Sequence, residues 1–145
     1  MTNTDIHGLY ARLVVSDAAR AIDFYRSALG AEEVERYTDK DGHIVHAMLR
    51  IGGVPIAVKD EGIDPHPNAL GGTPVIIALE VADADAVADA MVRSGATVVF
   101  PVGDQHYGQR SGRLADPFGH VWMIAQPLES LTPDEIQQRT QELDD

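Results

Sequence analysis

Apolar and polar residues alternate along residues 10–15, which is the spacing of a strand with one buried face. Ser16 or Asp17 can cap a helix after this strand, and Gly30 can end the helix in the left-handed conformation. Between these signals the apolar residues recur at helical spacing, and they are Ala21, Ile22, Tyr25 and Leu29. The pattern therefore predicts a strand followed by a helix.

Glycine-containing turns divide the next segment of the chain. Asp41-Gly42 marks a turn, and apolar runs follow at residues 43–51 and 54–59. Gly52-Gly53 lies between the two runs, and two such glycines are typical of a tight hairpin. We expect an antiparallel pair of strands here.

The second half of the chain shows the same order of signals. Residues 75–81 have the composition of a strand, and Asp83 or Asp85 can cap a helix that runs to Gly95. Three further strands are predicted, at residues 97–102, 113–115 and 120–125.

An internal repeat connects the two halves. The tetrapeptide V-S-D-A at residues 15–18 matches V-A-D-A at residues 81–84, at an offset of 66 residues. The helices that follow end at Gly-Ala pairs, at residues 30–31 and 95–96. The predicted unit is a strand, a helix and three strands, repeated once, which makes the fold class α+β.

Length and turn residues suggest one domain built from two modules. The 145 residues suit a single domain, with module one at about 8–59 and module two at 75–126. The connector at 60–74 holds three prolines and three glycines. In the tail, 127–145, Thr132-Pro133-Asp134-Glu135 is a capping box that starts a short polar helix, which favours a solvated tail.

Composition and charge exclude several classes of function. The chain has no cysteine, so a disulfide scaffold, a cysteine zinc site and a thiol nucleophile are excluded. Its 11 Lys and Arg against 23 Asp and Glu leave a net charge of −12, which argues against nucleic acid and anionic membranes as partners. No apolar run is long enough to span a membrane, and the first residues lack the features of a signal peptide. We expect a cytoplasmic protein.

Two motifs carry a resemblance to a known family. AIDFYRSALGAEEV in the first half and ADPFGHVWMI near the end, together with the duplicated unit, resemble the vicinal oxygen chelate superfamily of glyoxalases, bleomycin-resistance proteins and dioxygenases. DGHIVHAMLRIGG, YGQRSGRLADPFGHVW and TPDEIQQR resemble its PhnB-like branch. The resemblance covers about residues 10–125. It implies curved mixed sheets that bind a ligand on their concave face and carry the helices on the convex side.

The resemblance also says where a metal would bind. Members of the superfamily commonly hold a divalent metal with ligands from the first and last strand of each half, and these positions fall on Tyr10, Ala57, Ile76 and Met123. Ala and Ile have no donor atom, and a thioether is a poor ligand for hard cations. We therefore expect no metal and no cofactor. A non-standard site using His46 and His106 is the alternative.

Several residues have two interpretations each. His46 can bind a ligand or act as a general base, or it can be a hydrogen-bonded sheet histidine. Arg110, in a predicted loop, can close over an anionic group or stack on a ring, or pair with surface acids. Arg12 and Glu80, on equivalent strands, can recognise a ligand or form a buried ion pair.

The leading hypothesis is a homodimeric, metal-independent protein that binds a small molecule in the cup of the curved sheets. Apolar and aromatic walls with a few polar groups would hold the ligand, whose identity the sequence does not name. The two modules of one chain can form a cup together, or each module can form a cup with a module of the partner chain. The cup is predicted to be lined by Tyr10, Arg12, His46, Met48, Tyr107, Arg110 and Met123.

Three alternatives stay open at this point. One is a glyoxalase-like lyase, isomerase or dioxygenase with a non-standard metal site. A second is a metal-free enzyme in which His46 or Tyr10 is the acid or base. The third is a regulatory or scaffolding dimer without a ligand.

Overall fold

The computed structural model describes residues 6–143. The chain divides into two compact units, and the boundary between them lies between residues 66 and 67. We call residues 6–66 unit 1 and residues 67–143 unit 2. The division falls inside the predicted connector.

Each unit contains one four-stranded sheet and one long helix. Unit 1 consists of β1 (Arg12–Val15), α1 (Ala18–Leu29), β2 (Glu32–Thr38), β3 (Ile44–Ile51) and β4 (Val54–Asp60). Unit 2 consists of α2 (Pro67–Leu70), β5 (Ile76–Glu80), α3 (Ala84–Arg93), β6 (Thr97–Asp104), β7 (Gln109–Ala115), β8 (Val121–Pro127) and α4 (Pro133–Gln141). The predicted α+β fold with two βαβββ repeats and a short C-terminal helix is confirmed.

The two sheets have the same topology. In unit 1 the strand order is β1-β4-β3-β2, and in unit 2 it is β5-β8-β7-β6. The first strand of each unit pairs in parallel with the last, and the other pairs are antiparallel. Both sheets are therefore mixed, and the first strand lies at an edge.

One face of each sheet packs against the long helix of its own unit. Unit 1 buries apolar side chains from alternate strand positions and from α1, and among them are Leu13, Val15, Ile22, Tyr25, Leu49 and Val58. Unit 2 buries Met91, Leu114, Trp122 and Ile124 in the same way. Burial of this apolar surface is the main stabilising term in each unit.

The start of each long helix is held by equivalent contacts. The Asp17 and Asp83 carboxylates are the N-caps, accepting hydrogen bonds from backbone N–H groups three residues further on. The Ala18 N–H donates to the Asp60 carboxylate at 2.7 Å, and the Ala84 N–H donates to the Gln126 amide oxygen at 3.0 Å. Asp60 and Gln126 are separated by the same offset of 66 as the tetrapeptides.

The structure changes two sequence-based placements. Tyr10 lies before β1 rather than in it, because β1 pairs with β4 alone and that pairing starts at the Ala57 N–H bond to the Ala11 carbonyl. Arg110 lies inside β7 rather than in a loop, because β7 pairs with β8 from Gln109 onward. The ends of strands are the boundaries that local sequence patterns predict least accurately.

The C-terminal segment is bonded to the rest of unit 2. The Leu128 and Glu129 N–H groups both donate to the Gly108 carbonyl, at 2.9 and 3.0 Å. Arg139 on α4 donates to the His106 carbonyl and forms a two-bond ion pair with Glu129. The tail helix is thus tied to the β6–β7 turn, while every residue of α4 remains at least partly exposed.

Across residues 6–143, no helix combines the length and the apolar character needed to cross a membrane.

Candidate functional site

Each sheet has a second face that the helix of its own unit does not cover, and we call it the open face. Because directly paired residues on neighbouring strands share a face, the strand registers define its members. On unit 1 the open face comprises Arg12, Val14, Glu32, Glu35, Tyr37, His46, Met48, Arg50, Pro55, Ala57 and Lys59. On unit 2 it comprises Ile76, Ala78, Glu80, Thr97, Phe100, Gly103, Gln109, Ser111, Arg113, Ala115, Val121, Met123, Ala125 and Pro127.

Arg12 extends across the open face of unit 1. It pairs with Ala57 at the sheet edge, and its guanidinium donates to the Val45 carbonyl on β3 at 2.9 Å. Ala57, which lies between Arg12 and Met48 in the register, is completely buried although it belongs to this face. Arg12 itself remains exposed. A long basic side chain therefore lies beside the small residue at the centre of the face.

A stacked aromatic pair lies on the same face. The rings of Tyr37 and His46 are nearly parallel, with an interplanar angle of 17° and centroids 6.1 Å apart. The Tyr37 hydroxyl donates to the Glu35 carboxylate at 2.6 Å, and this bond with the nearby negative charge raises the pKa of Tyr37. Within residues 6–66 the His46 imidazole has this ring contact and no hydrogen bond.

A backbone irregularity brings these two rings together. Tyr37 pairs with His46, but Thr38 pairs with Ile44, so Val45 is an extra residue in β3. Ile44 consequently turns to the helix-covered face and is buried, while Val45 is 43% exposed. Sequence reasoning found His46 and missed Tyr37, since the strand that carries Tyr37 was not located from its mostly polar sequence.

Lys59 is a further basic residue of this face. Its ammonium group donates to the Asp64 carboxylate at 2.8 Å, and only 14% of the Lys59 side chain is exposed. This bond, and the positive charges of Lys59 and Arg12, hold the pKa of Asp64 below its usual value. Lys59 is therefore already neutralised.

On unit 2, the open face contains a hydroxyl pair. Tyr107, in the turn between β6 and β7, forms a hydrogen bond with Ser111 through its hydroxyl. Ser111 is buried, with 4% exposure. The bonds from the C-terminal segment to His106 and Gly108 flank Tyr107, so that segment holds the turn that places this ring.

Arg113 is a basic residue of this face that sequence reasoning did not select. It pairs with Met123 on β8, and its guanidinium carbon lies 5.6 Å from the centroid of the Phe100 ring. This distance is within the range of a cation–π contact. Its position in the predicted strand 113–115, at the alternation that faces away from the helix, was the signal that could have identified it.

Arg110 lies on the other face of the same strand. Its guanidinium bonds the Asp85 carboxylate of α3 at 2.7 and 3.1 Å and Asp104 at 2.9 Å. These bonds raise the pKa of Arg110 and lower that of Asp85. Of the interpretations that the sequence left open, pairing with acids is the one observed. The placement of Arg110 in the cup is corrected, because β7 directs it to the helix side.

One group of potential metal ligands occurs in the described chain. Among residues 6–143, Asp39, Asp41 and His43 are the only three acidic or histidine side chains whose ligand atoms lie close enough to share an ion. All three are exposed on the β2–β3 turn, and Asp39 already accepts backbone N–H bonds from Asp41 and His43. Neither His46 nor His106 belongs to such a group.

A shallow cleft of about 180 Å³ lies between α3 and the edge strand β6. It is on the helix side of the sheet, and Asp85 and Asp89 are its acidic residues. None of the residues predicted to bind a ligand lines it. Of the open-face residues of unit 2 named above, Phe100 lines the cleft.

A family model described as the Glyoxalase/Bleomycin resistance protein/Dioxygenase superfamily matches residues 8–124. The chain belongs to this superfamily. The protein named Uncharacterized protein Mb0911c of Mycobacterium bovis is 46% identical over 135 residues, covering 89% of each chain. Uncharacterized protein Rv0887c of Mycobacterium tuberculosis has the same identity over the same length, covering 89% of this chain and 79% of that protein.

Two solved structures have a similar fold. TioX from Micromonospora sp. ML1 is 26% identical with a TM-score of 0.67, over 85% of this chain and all of TioX. The fosfomycin resistance protein FosX of Listeria monocytogenes is 20% identical with a TM-score of 0.70, over 91% of this chain and 99% of FosX. A further FosX structure is a complex with Mn(II) and sulfate.

The superfamily's metal positions can be tested against the residues present. Ala57 and Met123 lie on the open faces, and Ile76 begins the edge strand of unit 2. Alanine and isoleucine offer no ligand atom, and a thioether does not suit a hard divalent cation. Tyr10 alone could supply an oxygen. The residues at these positions do not fit a divalent metal.

Proposed function

We propose that this protein is a metal-independent small-molecule-binding protein of the glyoxalase/bleomycin-resistance type, that it belongs to the PhnB-like branch, and that it acts as a cytoplasmic homodimer. The observation that carries the proposal is the set of side chains at the superfamily's metal positions, Tyr10, Ala57, Ile76 and Met123. Two of these four have no donor atom. The open faces nevertheless keep the aromatic, apolar and hydrogen-bonding groups that bind organic ligands.

Each unit has its own set of proposed ligand contacts. Tyr10, Arg12, His46 and Met48 supply them on unit 1. Tyr107 and Met123 supply them on unit 2. Arg110 is left out because its guanidinium is held by two carboxylates on the helix side. Arg113 replaces it as the basic group of the unit 2 face.

Metal content is the first test. The untagged protein is purified, treated with a chelator and analysed by elemental mass spectrometry and thermal denaturation before and after treatment. The proposal expects substoichiometric metal and an unchanged melting temperature. A stoichiometric divalent metal whose removal lowers the melting temperature would contradict it and favour the metalloenzyme alternative.

Ligand screening is the second test. Thermal-shift screening of small organic molecules should find stabilising compounds, because a ligand that binds only the folded state raises its stability. Tyr10→Ala and Met123→Ala should weaken binding, whereas Val54→Ala, at an exposed position outside the proposed contacts, should not. If no compound binds, the ligand-free scaffolding alternative is favoured; if the two variants bind normally, the contacts proposed here are wrong.

One observation favours a second candidate function, a metal-free enzyme. The His46 imidazole lies half-buried on the open face without a hydrogen bond inside unit 1, so its nitrogens are available to exchange a proton with a ligand. For any turnover that screening uncovers, His46→Ala should abolish the histidine-dependent limb of the pH–rate profile. A pH–rate profile unchanged by that substitution would exclude His46 as the acid or base.

A further inference from the structure

We infer that the ligand bound on the open face of unit 1 is an organic anion carrying a planar ring, with the anionic group on Arg12 and the ring on the Tyr37–His46 pair. The inference rests on the proposed function and specifies its ligand class. It is carried by the charge, the hydrogen-bond state and the ring geometry of this face.

The charge of the face differs from that of the chain. The whole protein carries a net charge of −12. The open face of unit 1 holds three basic side chains, Arg12, Arg50 and Lys59, and two acidic ones, Glu32 and Glu35. Its central acid, Glu35, accepts the bond from the Tyr37 hydroxyl. Bases outnumber acids on this face by three to two, whereas acids outnumber bases by 23 to 11 in the chain. Because Lys59 is bonded to Asp64, Arg12 and Arg50 are its bases without an ion pair within residues 6–66.

Arg12 has the unused hydrogen-bonding capacity that an anion needs. A guanidinium has five N–H donors, and the bond to the Val45 carbonyl uses one of them. Within residues 6–66 no carboxylate lies within 4 Å of it. Asp64 is the acid whose charge Arg12 influences, and Asp64 is bonded to Lys59 instead. A carboxylate or similar group can therefore bind Arg12 through two parallel hydrogen bonds.

The stacked pair supplies a surface for a ring. Tyr37 is 54% exposed, and its ring lies nearly parallel to the His46 ring. Planar groups stack on such surfaces through dispersion and quadrupole interactions. The guanidinium bonds the carbonyl of Val45, the residue next to His46, so the anion-binding group and the ring surface are adjacent. A planar acid can contact both at once.

The experiment compares three probes of similar shape and different charge on the full-length protein. Benzoate, benzyl alcohol and benzylamine are titrated while the His46 imidazole and Tyr37 ring signals are followed by NMR. We expect benzoate to shift both sets of signals with an affinity at least about tenfold higher than that of benzyl alcohol, since a charged hydrogen-bonded pair exceeds a neutral one. Benzylamine should bind most weakly.

Substitutions test whether the preference for benzoate over benzyl alcohol depends on Arg12. Arg12→Gln should lower benzoate affinity by about tenfold or more and remove its advantage over benzyl alcohol. Arg36→Gln is the matched control: it removes the same charge, from a residue paired with Glu33 and placed opposite Ala47 on the other face. It should leave benzoate affinity unchanged. Tyr37→Leu should weaken all three probes.

The outcomes separate this inference from the proposed function. Equal binding of benzoate and benzyl alcohol to these rings would overturn the anion assignment and leave small-molecule binding intact. Equal losses from Arg12→Gln and Arg36→Gln would show that only overall charge acts, which also overturns it. If none of the probes perturbs this face, the anion assignment fails, and the thermal-shift screen then decides the proposed function independently.

Discussion

In both units a turn precedes the last strand, but different interactions stabilise it in each unit. In unit 1 the turn is formed by Gly52 and Gly53, both with positive φ. In unit 2 it is formed around Asp116, whose carboxylate accepts the N–H groups of Phe118 and His120 and the indole N–H of Trp122. The comparison shows that a repeated backbone topology does not require repeated side-chain interactions.

The open faces differ as well. Unit 1 combines the Arg12 guanidinium, which bonds one carbonyl and no carboxylate within residues 6–66, with the stacked Tyr37–His46 pair. In unit 2 the guanidinium of Arg113 lies against Phe100, and the Tyr107 hydroxyl is bonded to Ser111. In unit 2 the basic group already contacts a ring and the two hydroxyls bond each other, whereas the Arg12 guanidinium forms no ion pair within residues 6–66 and lies beside the Tyr37–His46 rings. We therefore expect unit 1 to provide the charge selectivity of binding.

The largest expected effect concerns the Asp116 turn. Asp116→Ala leaves three N–H groups without their acceptor in a buried place, and each costs about 1–3 kcal/mol, so we expect a loss of about 4 kcal/mol in the free energy of unfolding. Chemical denaturation followed by Trp122 fluorescence measures this, since it is the only tryptophan in the chain. Asp116→Asn keeps one acceptor oxygen and should cost about half as much. A loss below about 1 kcal/mol would contradict this account of the turn.

The next largest difference in stability is expected between alanine substitutions of the turn glycines Gly119 and Gly53. Gly119 has φ 93°, and a Cβ there would lie 2.7 Å from the Asn68 side-chain oxygen and 3.0 Å from Pro67. Gly53 has φ 83°, but a Cβ would meet nothing within 4 Å. Backbone strain costs about 1–2 kcal/mol at both, and the crowding adds about 1 kcal/mol or more in Gly119→Ala. Equal destabilisation of the two alanine variants in urea denaturation would show that the crowding has no effect.

A smaller difference in stability is expected between alanine substitutions of Asp60 and Gln126, whose side chains accept hydrogen bonds from the first residues of α1 and α3. Asp60 accepts two N–H groups, from Ala18 and Ile44, whereas Gln126 accepts one, from Ala84. We expect Asp60→Ala to cost about 2 kcal/mol or more and Gln126→Ala about 1 kcal/mol. Amide hydrogen exchange at Ala18 and Ala84 checks the local effect. If exchange at Ala18 does not accelerate in Asp60→Ala, the bond is not a determinant of the helix start.

The smallest effect is the pH dependence of the Arg110 ion pairs. Arg110 lowers the pKa of Asp85, so its contribution is present above the ordinary value of 3.8 and is lost as pH falls through the lowered pKa. Arg110→Gln should lower the melting temperature by about 2 °C near neutral pH and by progressively less in acid. Arg113→Gln, on the same strand and opposite face, should show no such convergence in acid. A pH-independent difference for Arg110→Gln would contradict the ion-pair account.

Local patterns in the sequence were sufficient for much of the fold. The V-S-D-A and V-A-D-A repeats, the helical spacing and the glycine stops predicted two βαβββ units, because strand and helix periodicities are expressed within a few neighbouring residues. Alternation also placed His46, Met48 and Met123 away from the helix-covered face. The superfamily followed from the motifs around residues 21–34 and 115–124.

Tertiary structure decided which side chains meet. The extra residue Val45 sets the pairing of Tyr37 with His46, and a change of register by one residue would have separated the two rings. Arg110 and its partner Asp85 are 25 residues apart in sequence, and only the packing of α3 on the sheet brings them into contact. Periodicity determines which face a residue occupies, but strand register and helix docking determine its partner.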